Sequence, residues 1–411
     1  MLDKKLLLLA IIILLFELTL SPFTRHGFDL SIWFKTGALM SNGENIYYPN
    51  HHLGYLPLWS YWALLSYSLY KFFSYNYELW LIFIKMPLIL AHLTLAILVK
   101  VFLDKKHHGV LSKKVFILIV TSPIIIYISA IWGQLNSLSS LLTLLSLILL
   151  ISKRFNLGFL TLGFSIALKL YPAILLPLLF TYSLKYKGFL SSLKNLFIAL
   201  IPPFLITFST LMAYLWDPYP LYLTLYYQVF SLNCDGCVAP NPLMNLWYLL
   251  YPFLNLKELA QILWIPAIII PPTLFFRNLK DDNLIKYSLI IHLSFLSLFS
   301  RVSEQLIIEP FILALTLYAL KEDKKILTYA IILQLIPIIF SLSNFGLLNF
   351  SPLLERLNLW NYGEIDKIYR VNESFLFWVK GSLGLIFSLL CFIGIFQLSR
   401  EGKMKGIKIF N

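Results

Sequence analysis

The first candidate for chemistry in this sequence is Asp29, one of a group of ionisable residues that directly follows an apolar stretch. The stretch LLLLAIIILLFELTL is followed within a few residues by FTRHGFDLSIWFK, residues 23–35. A carboxylate just beyond a membrane span can accept a proton from a hydroxyl held at the lipid boundary. The alternative is a solvated loop aspartate that caps a helix predicted at LSIWFKTGAL, since Asp is a favoured N-cap residue.

Two further motifs could bind a phosphate group. In SRVSEQ, Arg301 and Glu304 stand one helical turn apart, and a planar guanidinium group suits a pair of phosphate oxygens. In ALKLYP, Lys169 could supply a second cation. The alternatives are a weak i, i+3 ion pair at a membrane surface for the first motif and a snorkelling lysine for the second.

An aromatic ring and two amide side chains occur together in IWGQLNS, residues 131–137. Trp132, Gln134 and Asn136 offer a flat ring and hydrogen-bonding groups of the kind that bind sugar hydroxyls. The two amides could equally pair with other helices of a bundle.

A CxxC pair, Cys234 and Cys237, lies in a predicted external loop, where a small-ring disulfide is the favoured interpretation. No second CxxC or histidine pair accompanies it, which argues against a zinc site. The sequence also lacks GxxxxGKS, HExxH, GxSxG and a Gly-rich dinucleotide loop. These absences disfavour a nucleotide-driven pump, a zincin and a serine hydrolase.

The composition indicates what kind of elements must position these residues. Of 411 residues, 59% are hydrophobic and 13% are charged, and the mean hydropathy is +0.78, which predicts a polytopic membrane protein. The net charge of +13 comes from small basic groups between apolar segments. This pattern favours anionic membrane lipid over nucleic acid as the partner.

We predict an all-α helical bundle of about 12 transmembrane helices in one domain, residues 1–411. The first helix is expected to be a retained signal anchor, and residues 53–73 an interfacial helix. The predicted spans are roughly 5–21, 78–103, 115–131, 134–152, 156–169, 171–184, 194–216, 259–276, 285–300, 305–320, 326–343 and 376–398.

The placement of Lys and Arg gives an orientation. If both termini are cytoplasmic, most of the 33 basic residues fall in inside loops, in agreement with the positive-inside rule. The long external loops are then residues 22–77, 217–258 and 344–375. All the polar motifs above come to the external face of a cell membrane, which suggests a shared cavity because polar groups near hydrocarbon are costly.

With these motifs in this order, the chain resembles the GT-C superfamily of integral-membrane glycosyltransferases, especially its mannosyltransferase-like and family 87-like branches. The resemblance extends through about residue 320 and rests on the order of the elements. They are a first span, then HGFD, YLPLW, KMPLILAHL, AIWGQLNS, ALKLYP and SRVSEQ.

The resemblance implies transfer of a hexose, most simply mannose, with inversion, from a polyprenyl (dolichyl) phosphate carrier to a lipid-linked or glycan acceptor. Asp29 would be the general base that deprotonates the acceptor hydroxyl, while Arg301 and Lys169 would hold the leaving phosphate. The other substrate-binding residues implied are His26, Trp132, Gln134, Asn136, Tyr171 and Glu304.

The chain departs from the family pattern at two positions. The usual Tyr-Pro-Pro is Tyr55-Leu56-Pro57 here, and Ser303 stands where a histidine is common. The first loop has no paired-acid DxD, so we expect no divalent metal and no other cofactor. The main alternative is a multi-pass transporter or flippase of an amphiphilic lipid, although such proteins place polar residues at the membrane midplane. A catalytically silent scaffold is a third possibility.

Overall fold

The computed structural model describes residues 3–48, 53–230, 262–299 and 302–404. Within these ranges the chain is helical and contains no strand, which confirms the all-α prediction for the described part. The α-helices are α1 (Lys4–Leu20), α2 (Gly27–Ser41), α3 (Leu58–Phe72), α4 (Tyr77–Lys105), α5 (Gly109–Val120), α6 (Pro123–Ile126), α7 (Asn136–Ile151), α8 (Phe155–Leu168), α9 (Leu176–Lys187), α10 (Phe189–Tyr214), α11 (Tyr219–Phe230), α12 (Trp264–Phe275), α13 (Asp281–Leu298), α14 (Ile308–Lys321), α15 (Lys324–Ser343), α16 (Ser351–Arg356), α17 (Tyr362–Val371) and α18 (Glu373–Met404).

Five described helices are long and apolar enough to cross a bilayer by their length and composition. A sixth span would form if α5 and the bent segment after it, Pro123–Trp132, act together. Several other predicted spans correspond to apolar helices of 10–17 residues, such as α7 and α8. The five long candidates are Lys4–Phe23, Tyr77–Lys105, Phe189–Tyr214, Lys324–Ser343 and Glu373–Arg400.

The described residues separate into two compact units. The first lies within Met1–Ala173, Lys194–Ser231 and Phe345–Glu373, and the second within Ile174–Leu193, Leu232–Asn344 and Ser374–Asn411. The single membrane domain predicted from the sequence stays a prediction.

The start of α2 differs from one sequence-based interpretation. The N-cap residue is His26, whose Nδ1 accepts the backbone N–H of Asp29 at 3.2 Å. Asp29 is therefore not the cap; it lies in the first turn of the helix, where the aligned peptide dipoles stabilise a carboxylate. The helix begins at Gly27 rather than near Leu30, because the histidine ring satisfies one of the backbone donors at the helix start.

Close packing of α2 against α3 fixes the position of the first turn. Gly37 faces the backbone of Ala63, and a Cβ at Gly37 would overlap the Ala63 carbonyl group. Around this crossing the buried rings of Trp33 and Trp59 meet edge to face with their centroids 6.1 Å apart. The carboxylate of Asp29 is thus carried by a helix that has little freedom to shift.

A buried His–Glu pair links three helices of the first unit. His92 on α4 places Nδ1 2.8 Å from Oε1 of Glu17 on α1, and its Nε2 lies 2.9 Å from the carbonyl oxygen of Ile119 on α5. Both side chains are fully buried. Because Nε2 must carry a proton to donate to the carbonyl, one further proton is shared between Nδ1 and the carboxyl group.

Replacing His92 with Leu is expected to destabilise the protein by about 3–5 kcal/mol, because Glu17 is then buried without its partner. The double variant Glu17→Met with His92→Leu should recover most of this loss, since both polar groups are gone. The midpoint of thermal unfolding in detergent measures both effects. The control is Thr94→Ala, an exposed position on α4; equal midpoints for His92→Leu and the wild type would contradict the expected role of the pair.

Candidate active site

The centre of the candidate site is the carboxylate of Asp29, whose side chain is 18% exposed. Its Oδ2 accepts hydrogen bonds from Nε1 of Trp132 and from Nε2 of Gln134, each at 2.6 Å. Nδ1 of His26 lies 3.0 Å from the same oxygen. No described residue donates a hydrogen bond to Oδ1. One carboxylate oxygen is therefore held by the protein, and the other is left to accept from a ligand.

A left-handed glycine brings both donors to one oxygen. The π-helical segment Tyr127–Trp132 ends at Gly133, which has φ +88°. A Cβ at this glycine would lie 3.0 Å from Leu30 and 3.2 Å from Lys85, so a larger residue would push against both side chains and would also be strained by the positive φ. Reversal of the chain at Gly133 aims the side chains on either side of it at Asp29.

The amide of Gln134 is fully buried and both of its ends are used. Its nitrogen donates to Asp29, and its oxygen accepts from the hydroxyl of Tyr55 at 3.2 Å. Burial, and after it the charge of Asp29, raises the pKa of Tyr55 above its ordinary value, so the phenol keeps its proton and remains a donor. Tyr55 is not among the site residues predicted from the sequence, where its place in YLPLW was the only signal.

Lys169 belongs to the same network. Its Nζ donates to Oδ1 of Asn136 at 2.9 Å and lies 5.7 Å from the centroid of the Tyr55 ring. The backbone turns from α8 into an extended conformation at this residue. The Lys169 cation is thus connected to the Asp29 carboxylate through the Tyr55 ring and Gln134, while Asn136 holds the ammonium group in place.

The rings of His26 and Trp132 are stacked, with centroids 4.7 Å apart and planes at 24°. The imidazole therefore covers one face of the indole ring, and the indole N–H donates a hydrogen bond to the Asp29 carboxylate. A neutral Nδ1 on His26 can accept the Asp29 backbone N–H, whereas a protonated Nδ1 can donate to Oδ2 instead. The ring both caps α2 and contacts the carboxylate.

The environment of Asp29 favours its ionised form. Burial alone would raise the pKa of this carboxyl, but the His26 ring and the hydrogen bonds from Trp132 and Gln134 outweigh burial and lower the pKa to about 2. The group is a carboxylate throughout the physiological pH range. Because its pKa is lower in the folded chain, it stabilises the fold above the unfolded value of about 3.9, and this contribution is lost as the pH falls toward 2.

Replacing Trp132 with Phe is expected to raise the pKa of Asp29, because the indole N–H stabilises the ionised form. The carboxyl-carbon resonance of Asp29 in ¹³C-labelled protein, assigned with Asp29→Asn, should then titrate at a higher pH than in the wild type. Trp360→Phe, at an exposed position, is the matched control and should leave the titration where it is. An unchanged midpoint in Trp132→Phe would contradict the hydrogen bond as the cause.

The remaining predicted site residues stand as follows. Tyr171 is buried at the start of the 3₁₀ turn Tyr171–Leu175, two residues beyond Lys169. Glu304 is buried in the second unit, at the start of the 3₁₀ turn Glu304–Ile307. Three predicted residues lie outside the described part of the chain: Arg301, Cys234 and Cys237.

No group of three His, Cys, Asp or Glu side chains that could hold a metal ion occurs among the described residues.

An apolar groove of about 690 Å³ lies in the first unit between α3, α4, α7 and α8. Its lining includes Leu58, three residues after Tyr55, and Leu168, the residue before Lys169. Trp59 and Phe164 also line it. The groove therefore extends to the start of α3 and to the end of α8, which lie close in sequence to Tyr55 and Lys169 of the Asp29 network.

Comparison with known proteins does not assign this chain to a family: no family model matches it, and no curated protein matches it. The structure itself defines a helical protein whose described part contains several helices able to span a membrane. A hydrogen-bonded carboxylate lies in its first unit.

Proposed function

We propose that this protein is an integral-membrane glycosyltransferase of the GT-C type. It transfers a hexose, most simply mannose, from a polyprenyl (dolichyl) phosphate carrier to a lipid-linked or glycan acceptor. The observation that carries the proposal is the asymmetric environment of Asp29, with Oδ2 held by two short hydrogen bonds and Oδ1 left open to a ligand hydroxyl. No nucleic acid and no cofactor take part.

In the proposed reaction the acceptor hydroxyl donates a hydrogen bond to Oδ1 of Asp29 and attacks the anomeric carbon in line. The bond from that carbon to the phosphate oxygen breaks, and the sugar configuration inverts. A carboxylate of pKa about 2 is a weak base. It takes the proton late, when the acceptor oxygen is already bonding to the sugar and its proton has become strongly acidic.

The leaving polyprenyl phosphate gains negative charge as its bond to the sugar breaks. Lys169 is the cation proposed to bind this phosphate. A cation fixed by Asn136 beside the Tyr55 ring stabilises that charge without reorganising. The apolar groove is lined by Leu168, the residue before Lys169, and its apolar surface suits the polyprenyl tail. Arg301 and Glu304 are proposed as further contacts on the donor side.

The contacts of the amide motif suggest a change in its expected role. Gln134 is fully buried, and both its amide oxygen and its amide nitrogen are hydrogen-bonded. The indole N–H of Trp132 donates to Asp29, and one face of the indole stacks on the His26 ring. We therefore assign these side chains to holding the carboxylate rather than to lining the sugar. Tyr171 keeps its predicted role as a substrate contact, in addition to Lys169, Arg301 and Glu304.

For the membrane we propose about 12 spans, cytoplasmic termini, and Asp29 at the external face of a cell membrane. The five long apolar helices and the distribution of basic loops support this arrangement. Single cysteines at positions 29 and 153, in a chain without other cysteines, test it through a membrane-impermeant thiol reagent. Labelling of position 29 from the cytoplasmic side would contradict the arrangement.

The experiment that tests the function uses purified protein, a panel of radiolabelled polyprenyl-phosphate sugars and a membrane lipid extract. Label is expected in a new lipid-linked product with at least one of these donors. Soluble nucleotide sugars are the negative donors and should give no product. Transfer from nucleotide sugars alone would overturn the proposed donor class.

A further inference from the structure

Lys85 on α4 is a fully buried lysine enclosed by backbone carbonyl groups. Its ammonium group donates to the carbonyl oxygens of Thr24 at 2.6 Å, Ala130 at 2.8 Å and Ser21 at 3.0 Å, with Ile131 further away at 3.3 Å. No described carboxylate forms an ion pair with it. The three ammonium protons are thus all directed at main-chain oxygens.

A buried cation with no carboxylate partner is expensive to desolvate, so its surroundings must compensate strongly. Here the carbonyl groups come from two helical segments that end at the lysine. Ser21 and Thr24 lie at the end of the helical run Lys4–Phe23, and Ala130 and Ile131 at the end of Tyr127–Trp132. The last carbonyls of a helix lack backbone donors and carry partial negative charge, which an ammonium group satisfies.

The two segments joined by Lys85 continue directly into the Asp29 network. Thr24 is followed by His26 and the first turn of α2, and Ile131 is followed by Trp132. Apart from the two hydrogen bonds to the Asp29 carboxylate itself, the other direct links between the segments are longer: the Thr24 hydroxyl lies 3.3 Å from the Ala130 carbonyl, and the His26 backbone nitrogen lies 3.5 Å from the Trp132 carbonyl. The ammonium group makes the shortest contacts to both segments at once.

We propose that Lys85 is a positioning residue for the Asp29 site. By binding both segments, its ammonium group sets the distance between the carboxylate and the two side chains that donate to it. The kinetic part of this inference rests on the proposed glycosyl transfer, whereas its geometric part concerns the hydrogen bond between Trp132 and Asp29 alone. Each part has its own measurement.

The first variant is Lys85→Met, which keeps the length of the side chain and removes the charge. Its kcat is expected to fall about 100-fold, the size of effect that a shift of about 1 Å at a reacting group produces. The KM for the polyprenyl-phosphate sugar should stay near the wild-type value, because the donor contacts lie elsewhere. The indole N–H resonance of Trp132 in ¹⁵N-Trp-labelled protein, assigned by its absence in Trp132→Phe, should shift.

The second variant is Lys85→Ala, which leaves the carbonyl groups around a space of the size of n-propylammonium. Added n-propylammonium is expected to restore both the indole resonance and the turnover. Tetramethylammonium has the same charge but no N–H, and it should restore neither. This variant can be purified with the amine present, so it remains usable if Lys85→Met fails to fold.

The matched control is Lys100→Met, since Lys100 is also buried on α4 but is paired with Asp104 on the same helix. It should leave kcat and the indole resonance unchanged. A lower unfolding temperature in both Lys85 variants, with kcat and the Trp132 resonance as in the wild type, would overturn the inference. If the Lys85 variants show the resonance shift and its rescue by the amine, but the wild-type protein transfers no sugar, the proposed function is rejected and the geometric inference stands.

Discussion

Replacing Asp29 with Asn is expected to lower the rate of sugar transfer by about 10²- to 10⁴-fold, the usual contribution of a general base. The amide has the same shape, and its oxygen can still accept from Trp132 and Gln134. Its NH₂ group then faces the acceptor hydroxyl in place of Oδ1 and cannot take a proton. Initial rates with labelled donor, measured over a range of donor concentrations, should show the loss in kcat.

The matched control for this variant is Asp217→Asn, an exposed aspartate of the first unit outside the network. It should transfer sugar at the wild-type rate. Both variants should insert into membranes. Asp29→Asn should unfold at a somewhat lower temperature near neutral pH, because it lacks the ionised carboxylate that stabilises the folded chain. Turnover of Asp29→Asn within a few-fold of the wild type would remove Asp29 from the mechanism.

Replacing Lys169 with Met is expected to reduce kcat by about 10²- to 10³-fold, as found when one preorganised group that stabilises developing charge is lost. The effect should fall on kcat more than on KM, because the phosphate gains charge as its bond to the sugar breaks. Measurement of kcat and KM with the same polyprenyl-phosphate sugar separates the two.

Lys71→Met is a suitable control for the lysine variant. Lys71 also lies over a tyrosine ring, with its Nζ 4.9 Å from the centroid of Tyr67, but it is on the exposed surface of α3. Its replacement should leave kcat unchanged. Equal effects of Lys71→Met and Lys169→Met would mean that general surface charge, and not a specific phosphate contact, controls the rate.

The sequence predicted part of the candidate site because its motifs are local. In IWGQLNS the glycine between Trp132 and Gln134 allows the turn that aims both side chains at Asp29. Asn136 follows in the next helix and meets Lys169. Residue type and short spacing were enough to select these positions, although they did not tell which atom each side chain contacts.

Other members of the network depend on contacts between distant parts of the chain. Tyr55 reaches Gln134 across 79 positions, and Lys85 reaches Thr24 across 61. No periodicity or motif specifies such pairings. Lys85 did give a signal, since it is a single cation in an otherwise apolar part of α4 and such residues usually have a structural or functional partner.

The helix boundaries show a second limit of the sequence. Apolar runs indicated that the chain is helical, and the described part of the chain is. The predicted runs 134–152 and 156–169 match α7 and α8 closely, but run length could not show whether helices as short as these cross the bilayer. The histidine cap of α2 was also missed, since Asp is the commoner residue at that position.

The most direct test of the central claim follows the bond between sugar and phosphate in proteoliposomes that contain purified protein, labelled polyprenyl-phosphate mannose and acceptor lipid. We predict that label appears in a new product with release of an equal amount of polyprenyl phosphate, and that Asp29→Asn forms this product at least about 100-fold more slowly. Movement of the intact donor between leaflets, with the bond to the sugar unbroken, would contradict this account and identify a lipid transporter instead.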